Sequence, residues 1–159
     1  MNFQSEEDYN NYFNNNVLNS TDSMEIMLHK LCCVYGNNLI IDYRIFKSIG
    51  STSTYDAIFK HIDDMVQYTI SIFPNLNVRI SMKSLSIVDA DKHRQFLINL
   101  IQHFNRTYKN ILDLGYIYLA PSIFVQVFSI FSFVIDKETK KKIHIVEKHK
   151  NKSQISLQL

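Results

Sequence analysis

An uncharged stretch of 22 residues constrains the fold of this chain more than any other feature. It covers residues 114–135, LGYIYLAPSIFVQVFSIFSFVI, and lies between Asp113 and Asp136. A bilayer span needs about 20 mostly apolar residues, so the length of this stretch allows a transmembrane helix. Pro121 favours another structure, because proline suits the first turn of a helix better than its interior. We therefore expect a strand that ends at Ala120 and a helix after Pro121, with a transmembrane span as the alternative.

The rest of the chain alternates between strand-like and helix-like patterns. Apolar side chains recur at helical spacing in two long segments, whereas β-branched and aromatic runs separate them. Strands that alternate with amphipathic helices predict an α/β fold. We expect a three-layer-like sandwich in which a small, mostly parallel sheet is flanked by helices. The predicted elements are helices over 24–34, over 54–73 and from a cap at Asp89 or Asp91 to residue 108, and strands over 39–46, 78–88 and 143–146.

Charge is distributed unevenly along the chain, although the net charge is only +2. Residues 1–25 carry five acidic and no basic residues, whereas residues 136–152 carry seven lysines and three acidic residues. Acidic, asparagine-rich sequence without periodicity buries too little apolar surface to fold by itself. We predict a disordered or loosely docked arm over 1–22, a single domain over 23–148 and a basic, polar tail over 149–159.

Five features follow one another in residues 110–146: a hydrophobic-Gly-aromatic strand, an Ala-Pro turn, an aromatic-rich helix, an acidic residue and a Thr-x-x-Lys-Ile segment. They are carried by Leu114, Gly115 and Tyr116, by Ala120 and Pro121, by the helix that follows, by Asp136, and by Thr139, Lys142 and Ile143. In this order and spacing the segment resembles the second half of CRAL-TRIO domains, which are lipid-binding modules. Upstream, Asp89 is followed by Ala90 where the family usually has a glycine shortly after the aspartate. The resemblance therefore implies a divergent, shortened CRAL-TRIO domain.

The resemblance also implies a site. In the lipid-binding members, the helix corresponding to residues 122–135 is a gate over a slot for an acyl chain, and the sheet is the floor. The expected lipid contacts are thus Phe124, Phe128 and Phe131 on the gate and Ile117 and Leu119 on the floor. The partner would be a lipid or a membrane surface, and no cofactor is expected apart from a bound lipid. Independently, the positive charge after residue 136 predicts that Lys140, Lys141 and Lys142 contact headgroups or a membrane surface.

Patterns for catalysis, metal binding and nucleic-acid binding are missing from the sequence. The six histidines do not show a metal-binding spacing, and three glycines are too few for a phosphate-binding loop. Aromatic residues sit at core spacing and are not interleaved with basic residues. Binding of single-stranded nucleic acid requires such interleaving. We therefore expect neither catalytic residues nor a metal site, and no nucleic-acid partner.

A second function is kept open. The chain is rich in isoleucine, asparagine and lysine, whose codons are rich in A and T, as in the genomes of many large DNA viruses. The alternative is a cavity-less structural or interaction subunit of a larger assembly, such as a viral particle. The sequence predicts no oligomeric state.

Cysteine usage and the N-terminus predict the compartment. Cys32 and Cys33 are adjacent inside an apolar run, which is typical of core residues in a reducing environment. The acidic N-terminus lacks the features of a secretion signal. We expect a cytoplasmic protein, and a place at a membrane surface or in a virion is kept open.

Overall fold

The computed structural model describes residues 3–147 and the backbone of Ile155–Ser156. Within this part of the chain the strands form one six-stranded sheet whose spatial order follows the sequence. The four strands β2 to β5 are parallel, and an antiparallel strand flanks them on each edge. The strands are β1 (Cys32–Tyr35), β2 (Asn38–Asp42), β3 (Leu76–Ser81), β4 (Leu112–Tyr118), β5 (Ile143–Ile145) and β6 (Ile155–Ser156).

Gly36, with a positive φ of 57°, makes the tight turn between the antiparallel strands β1 and β2, where a side chain would be disfavoured.

Helices connect the parallel strands, and two further helices precede β1. The helices are α1 (Glu6–Asn15), α2 (Met24–Leu31), α3 (Tyr43–Ile49), α4 (Tyr55–Ile72), α5 (Ile87–Lys92), α6 (Arg94–Thr107), α7 (Phe124–Phe131), with a 3₁₀ turn (Ser132–Val134) after it, and α8 (Lys137–Lys141).

The sheet has two differently covered faces. Because sequential parallel strands are joined by crossovers of one hand, the connecting helices collect on one face. That face, here called the helix face, packs in one cluster with residues of α3 to α7. The opposite face, here called the α1 face, packs with Tyr9 and Phe13 of α1 through Ile40, Tyr116 and Tyr118. The predicted sandwich of a mostly parallel sheet between helices is confirmed.

The uncharged stretch divides at its proline, as predicted. Its first part is the end of β4, Pro121 lies in the turn, and its second part is α7 with the following 3₁₀ turn. Among the described residues, no helix combines the length and the apolar character that a bilayer crossing requires.

Three elements end earlier in the structure than the apolar patterns of the sequence predicted. The helix expected over 24–34 stops at Leu31, and residues 32–35 form β1 as the edge strand of the sheet. The strand expected over 39–46 stops at Asp42, because its carboxylate accepts a hydrogen bond from the Arg44 amide and caps α3.

The strand expected over 78–88 stops at Ser81. Ser84 has a positive φ of 66°, and Ser86 then caps α5 by accepting a hydrogen bond from the Asp89 amide. The single helix predicted from a cap at Asp89 or Asp91 to residue 108 is thus wrong: the segment forms α5, which Ser86 caps, and α6, which begins after His93. Local side-chain capping overrides the β-branched run of Ile87 and Val88 in this segment.

The N-terminal segment differs from the predicted disordered or loosely docked arm. Ser5 and Asp8 form a reciprocal capping box that starts α1. Tyr9 and Phe13 lie one helical turn apart on its inner face, and their side chains are 4% and 0% exposed. Aromatic residues at this spacing bury enough apolar area to hold the helix on the sheet. The division into domains stays a prediction, and the predicted tail lies outside the described residues except for the backbone of β6.

Arg79 anchors α1 to the middle of the sheet. Its guanidinium carbon lies 4.0 Å from the ring centre of Tyr9 and 4.2 Å from that of Tyr116. Its Nη1 donates to Glu6 Oε2 at 3.1 Å, and it also contacts the Tyr118 hydroxyl. A half-buried guanidinium that is stacked between two aromatic rings and paired with a carboxylate fixes the position of the helix.

His93 is a buried titratable group on the helix face. Its Nδ1 lies 2.6 Å from the Tyr55 hydroxyl, and its Nε2 has no hydrogen-bond partner among the described residues. Burial, with a smaller effect of the Lys92 charge, holds the pKa of His93 below its ordinary value of 6.5.

We expect this histidine to make folding stability depend on pH. The unfolded chain binds a proton at His93 more readily than the folded chain, so stability is complete above pH 6.5 and falls as the pH drops below it. Urea unfolding at about pH 7.5 and about pH 5.5 measures the difference in the free energy of unfolding between the two pH values. It should shrink in a His93→Gln variant and persist in a His29→Gln control at an exposed position. An unchanged difference in His93→Gln would contradict this assignment.

Candidate functional site: an apolar cavity between the sheet and two helices

A cavity of about 630 Å³ lies between the helix face of the sheet and the two long helices α4 and α6. Its walls are mostly aliphatic and aromatic, and polar residues from segments 105–110 and 136–142 lie at its margin. Volume and lining are typical of sites for small apolar ligands. The wall residues are Leu39, Ile41, Val78 and Ile80 from the sheet, Ile62 and Val66 from α4, and Leu100, Ile101 and Phe104 from α6.

The floor is built by the parallel pairing of β2 with β3. Leu39 pairs with Val78, and Ile41 pairs with Ile80. Alternate residues of a strand point to the same face, so these four side chains form one continuous apolar platform. The same alternation sends Ile40 and Arg79 to the α1 face.

Two polar side chains at the cavity margin are hydrogen-bonded within the protein. Asn105 Nδ2 donates to the Val134 carbonyl at 2.6 Å, and this bond joins α6 to the 3₁₀ turn. Lys142 Nζ donates to the Leu112 carbonyl at 2.6 Å. These two bonds hold the Asn105 and Lys142 side chains at the margin, and the wall formed by the sheet, α4 and α6 presents mainly hydrocarbon.

Asp63 of α4 joins the two cavity helices. Its Oδ1 accepts a 2.6 Å hydrogen bond from the Tyr108 hydroxyl and lies 2.9 Å from His103 Nε2. Burial acts to raise the pKa of Asp63, but hydrogen bonds from Tyr108, His103 and Gln67 bring it below its ordinary value. Burial and the bond to Asp63 raise the pKa of Tyr108 to about 12. At neutral pH the carboxylate and the phenol therefore keep their bond, which stabilises the α4–α6 contact beside the cavity.

The three phenylalanines predicted as a gate lie in the packed core. Phe124, Phe128 and Phe131 are all buried, and the first two rings are 5.8 Å apart. None of the three is among the residues that line the cavity. The apolar stripe that predicted a ligand surface is thus covered by protein side chains. Their contact with lipid stays a prediction.

The two predicted floor residues lie on opposite faces. Ile117 packs in the cluster of the helix face, whereas Leu119 packs in the cluster of the α1 face. Leu119 has a positive φ of 53°, and this left-handed residue interrupts the strand alternation on which the prediction relied. Neither residue lines the cavity.

The three predicted headgroup lysines lie in or just after α8. Lys141 Nζ pairs with Glu138 at 2.8 Å, Lys140 is half-buried, and Lys142 lies at the cavity margin. Their contact with a membrane stays a prediction.

The apolar residues that line the cavity were assigned to the core by the sequence pattern, and of the predicted site residues only Lys142 lines it. The stripes of α4 and α6 indicate which side chains face inward, but not whether the space before them is filled. The alternative of a structural or interaction subunit of a larger assembly, and assembly with protein partners, stay predictions. Across residues 3–147, no cluster of three or more His, Cys, Asp or Glu side chains is suited to hold a metal ion.

Comparisons with known proteins agree with this architecture. The family model described as CRAL/TRIO domain matches residues 56–158. The crystal structure of Sfh5 is similar in fold, with a TM-score of 0.66 and 14% sequence identity over 79% of this chain. The similarity covers 50% of the Sfh5 chain, so this chain spans about half the length of that protein. No curated protein matches the sequence.

Proposed function

Because the chain belongs to the CRAL/TRIO domain family, we propose that it is a non-enzymatic module that binds a lipid in the cavity between the sheet and helices α4 and α6. The observation that carries the proposal is the cavity itself, about 630 Å³ of space with mostly apolar walls beside the buried core.

Burial of hydrocarbon supplies the affinity. Each methylene group that moves from water into an apolar environment contributes about 0.8 kcal/mol. A long acyl chain would therefore contribute enough to offset the entropy lost on binding. The partner in this proposal is a lipid, taken from or delivered to a membrane surface.

We expect side chains that fill the cavity to abolish lipid binding without unfolding the protein. Val78 and Ile101 line the cavity from opposite sides, one on the sheet and one on α6. A Val78→Phe, Ile101→Phe double variant should reduce the affinity for a fluorescent fatty acid at least about tenfold, since the added rings occupy the space of several methylene groups. Native mass spectrometry of the purified wild-type chain should show lipid that the variant lacks.

Two further variants test where the ligand lies. Ile72→Phe adds a ring to the exposed side of α4 and should leave binding unchanged. Phe128→Leu keeps a buried apolar side chain and should also leave binding unchanged if the ligand occupies the cavity. Loss of binding in Phe128→Leu alone would favour the predicted gate phenylalanines as the contact. Undiminished binding in the cavity-filled variant would contradict the proposed site.

A further inference from the structure

Two histidines that are far apart in the sequence meet where α2 lies beside α4. His29 is in the last turn of α2, and His61 is in the second turn of α4. Their ring centres are 5.3 Å apart, and the ring planes are at 84° to each other. The two residues show no metal-binding spacing along the chain, because only the folded structure brings their helices together.

The distance between the rings fits two imidazoles bound to one tetrahedral metal ion. A zinc–nitrogen bond is about 2.0–2.1 Å long, so the ion lies about 3.2 Å from the centre of each ring that binds it. At a tetrahedral angle, the centres of two such rings are about 5.2 Å apart. The 5.3 Å between the His29 and His61 rings is therefore close to the distance required of two ligands to the same ion.

His61 is held in the form that a metal ligand needs. Its Nε2 lies 2.8 Å from the carbonyl oxygen of Cys32. A carbonyl oxygen only accepts, so in the neutral ring Nε2 carries the hydrogen and donates it, while Nδ1 keeps its lone pair. Histidines that bind metal ions usually donate their other ring N–H to a carbonyl or a carboxylate, and this bond fixes the orientation of the ring.

His29 has both ring nitrogens available for a ligand. Its side chain is exposed, and neither nitrogen has a hydrogen-bond partner within the described part of the chain. An exposed side chain turns between rotamers at little cost, so either nitrogen can face the ring of His61. One ring is therefore fixed by the backbone, and the other is free to adjust to an ion.

The charges around the pair favour a cation. Glu25 lies one turn before His29 on the same side of α2, is exposed, and has no ion-pair partner among the described residues. Lys60, the cationic neighbour of His61, is paired with Asp64 at 2.6 Å. A divalent ion at the pair would thus meet an unpaired carboxylate on α2 and a neutralised lysine on α4.

We propose that His29 and His61 form a surface site for a divalent transition-metal ion that imidazole prefers, such as Cu²⁺, Ni²⁺ or Zn²⁺. Each ring supplies one nitrogen. Because the described chain places no group of three or more His, Cys, Asp or Glu side chains around one position, water completes the coordination. The ion connects α2 to α4, and neither histidine lines the apolar cavity, so the site is independent of lipid binding.

Calorimetric titration of the purified full chain, without an affinity tag, with each of the three ions tests the proposal. We expect one ion per chain and the tightest binding for Cu²⁺, which follows the general order of affinities of first-row metals. Electron paramagnetic resonance of the Cu²⁺ complex should show hyperfine coupling to two imidazole nitrogens. A single surface histidine gives coupling to one nitrogen only.

Histidine variants test the two ligands separately. His29→Gln and His61→Gln should each weaken binding at least about tenfold, since the loss of even an outer-shell partner costs that much. The coupling should fall to one nitrogen in both variants. Glutamine at position 61 keeps an N–H donor for the Cys32 carbonyl, so the fold should be kept.

His103→Gln is the matched control. This half-buried histidine lies 2.9 Å from a carboxylate oxygen of Asp63, but its ring contacts no second histidine among the described residues. The substitution should change neither the affinity nor the spectrum. Equal affinity in the wild-type chain and in His29→Gln, coupling to a single nitrogen in the wild-type chain, or binding no tighter than that of free imidazole in the same buffer would each overturn the proposed site.

Discussion

A Phe13→Ala variant is expected to lose about 3–5 kcal/mol of unfolding free energy, which is the usual effect of removing a buried phenylalanine side chain. Phe13 is fully buried on the inner face of α1, and its ring centre lies 5.3 Å from that of Tyr118 in the sheet. Alanine would leave a cavity between α1 and the sheet, since the backbone of β4 cannot move to fill it. Urea unfolding followed by circular dichroism measures the change.

The chain offers a matched control for this substitution. Phe133, in the 3₁₀ turn after α7, is 73% exposed, and Phe133→Ala should change stability by less than about 0.5 kcal/mol. If Phe13→Ala is as mild as Phe133→Ala, α1 is not an integral part of the fold, and the arm predicted from composition is the better description.

Asp42→Ala is expected to destabilise the fold by about 3–5 kcal/mol, the range found when one partner of a buried ion pair is removed. Asp42 is buried and pairs with Arg44 at 2.9 Å. It also accepts a hydrogen bond from Asn16 at the end of α1 and caps α3. Its removal leaves the guanidinium of Arg44 without a counter-charge. The end of α1 and the start of α3 each lose a hydrogen bond.

Asp64→Ala is the control for the charge change. Asp64 pairs with Lys60 at 2.6 Å on the exposed side of α4, and such pairs contribute about 0.5 kcal/mol or less. In a double-mutant cycle, Arg44→Leu should restore part of the stability lost in Asp42→Ala, since no uncompensated charge remains. If Asp42→Ala loses no more unfolding free energy than Asp64→Ala, the contacts of Asp42 with Arg44 and Asn16 do not hold α1.

The predicted fold was accurate where one dominant pattern governed a segment. Pro121 divided the uncharged stretch, and the stripe from Tyr55 to Pro74 marked α4. The predicted ends of strands were wrong where a short polar side chain capped a helix inside an apolar segment. Asp42 and Ser86 accept hydrogen bonds from the backbone and start helices in segments whose β-branched residues favoured strands.

The candidate site was harder to predict than the fold. The apolar surface of α7 indicated that something must cover it, and the structure covers it with protein. The stripes of α4 and α6 indicated burial in the same way, yet part of each stripe lines the cavity. Hydrophobic periodicity reports which side chains leave water, but it carries no information on the distance to the layer opposite.

The sequence by itself determined the alternation of strands and helices, the break at Pro121 and the family, because these depend on local chemistry and on the order of short motifs. Only the tertiary structure decided that α1 is docked through Arg79 and that the cavity lies under α4 and α6 rather than under α7. Both are set by the spacing between layers, which results from many side-chain volumes acting together and is encoded in no single segment.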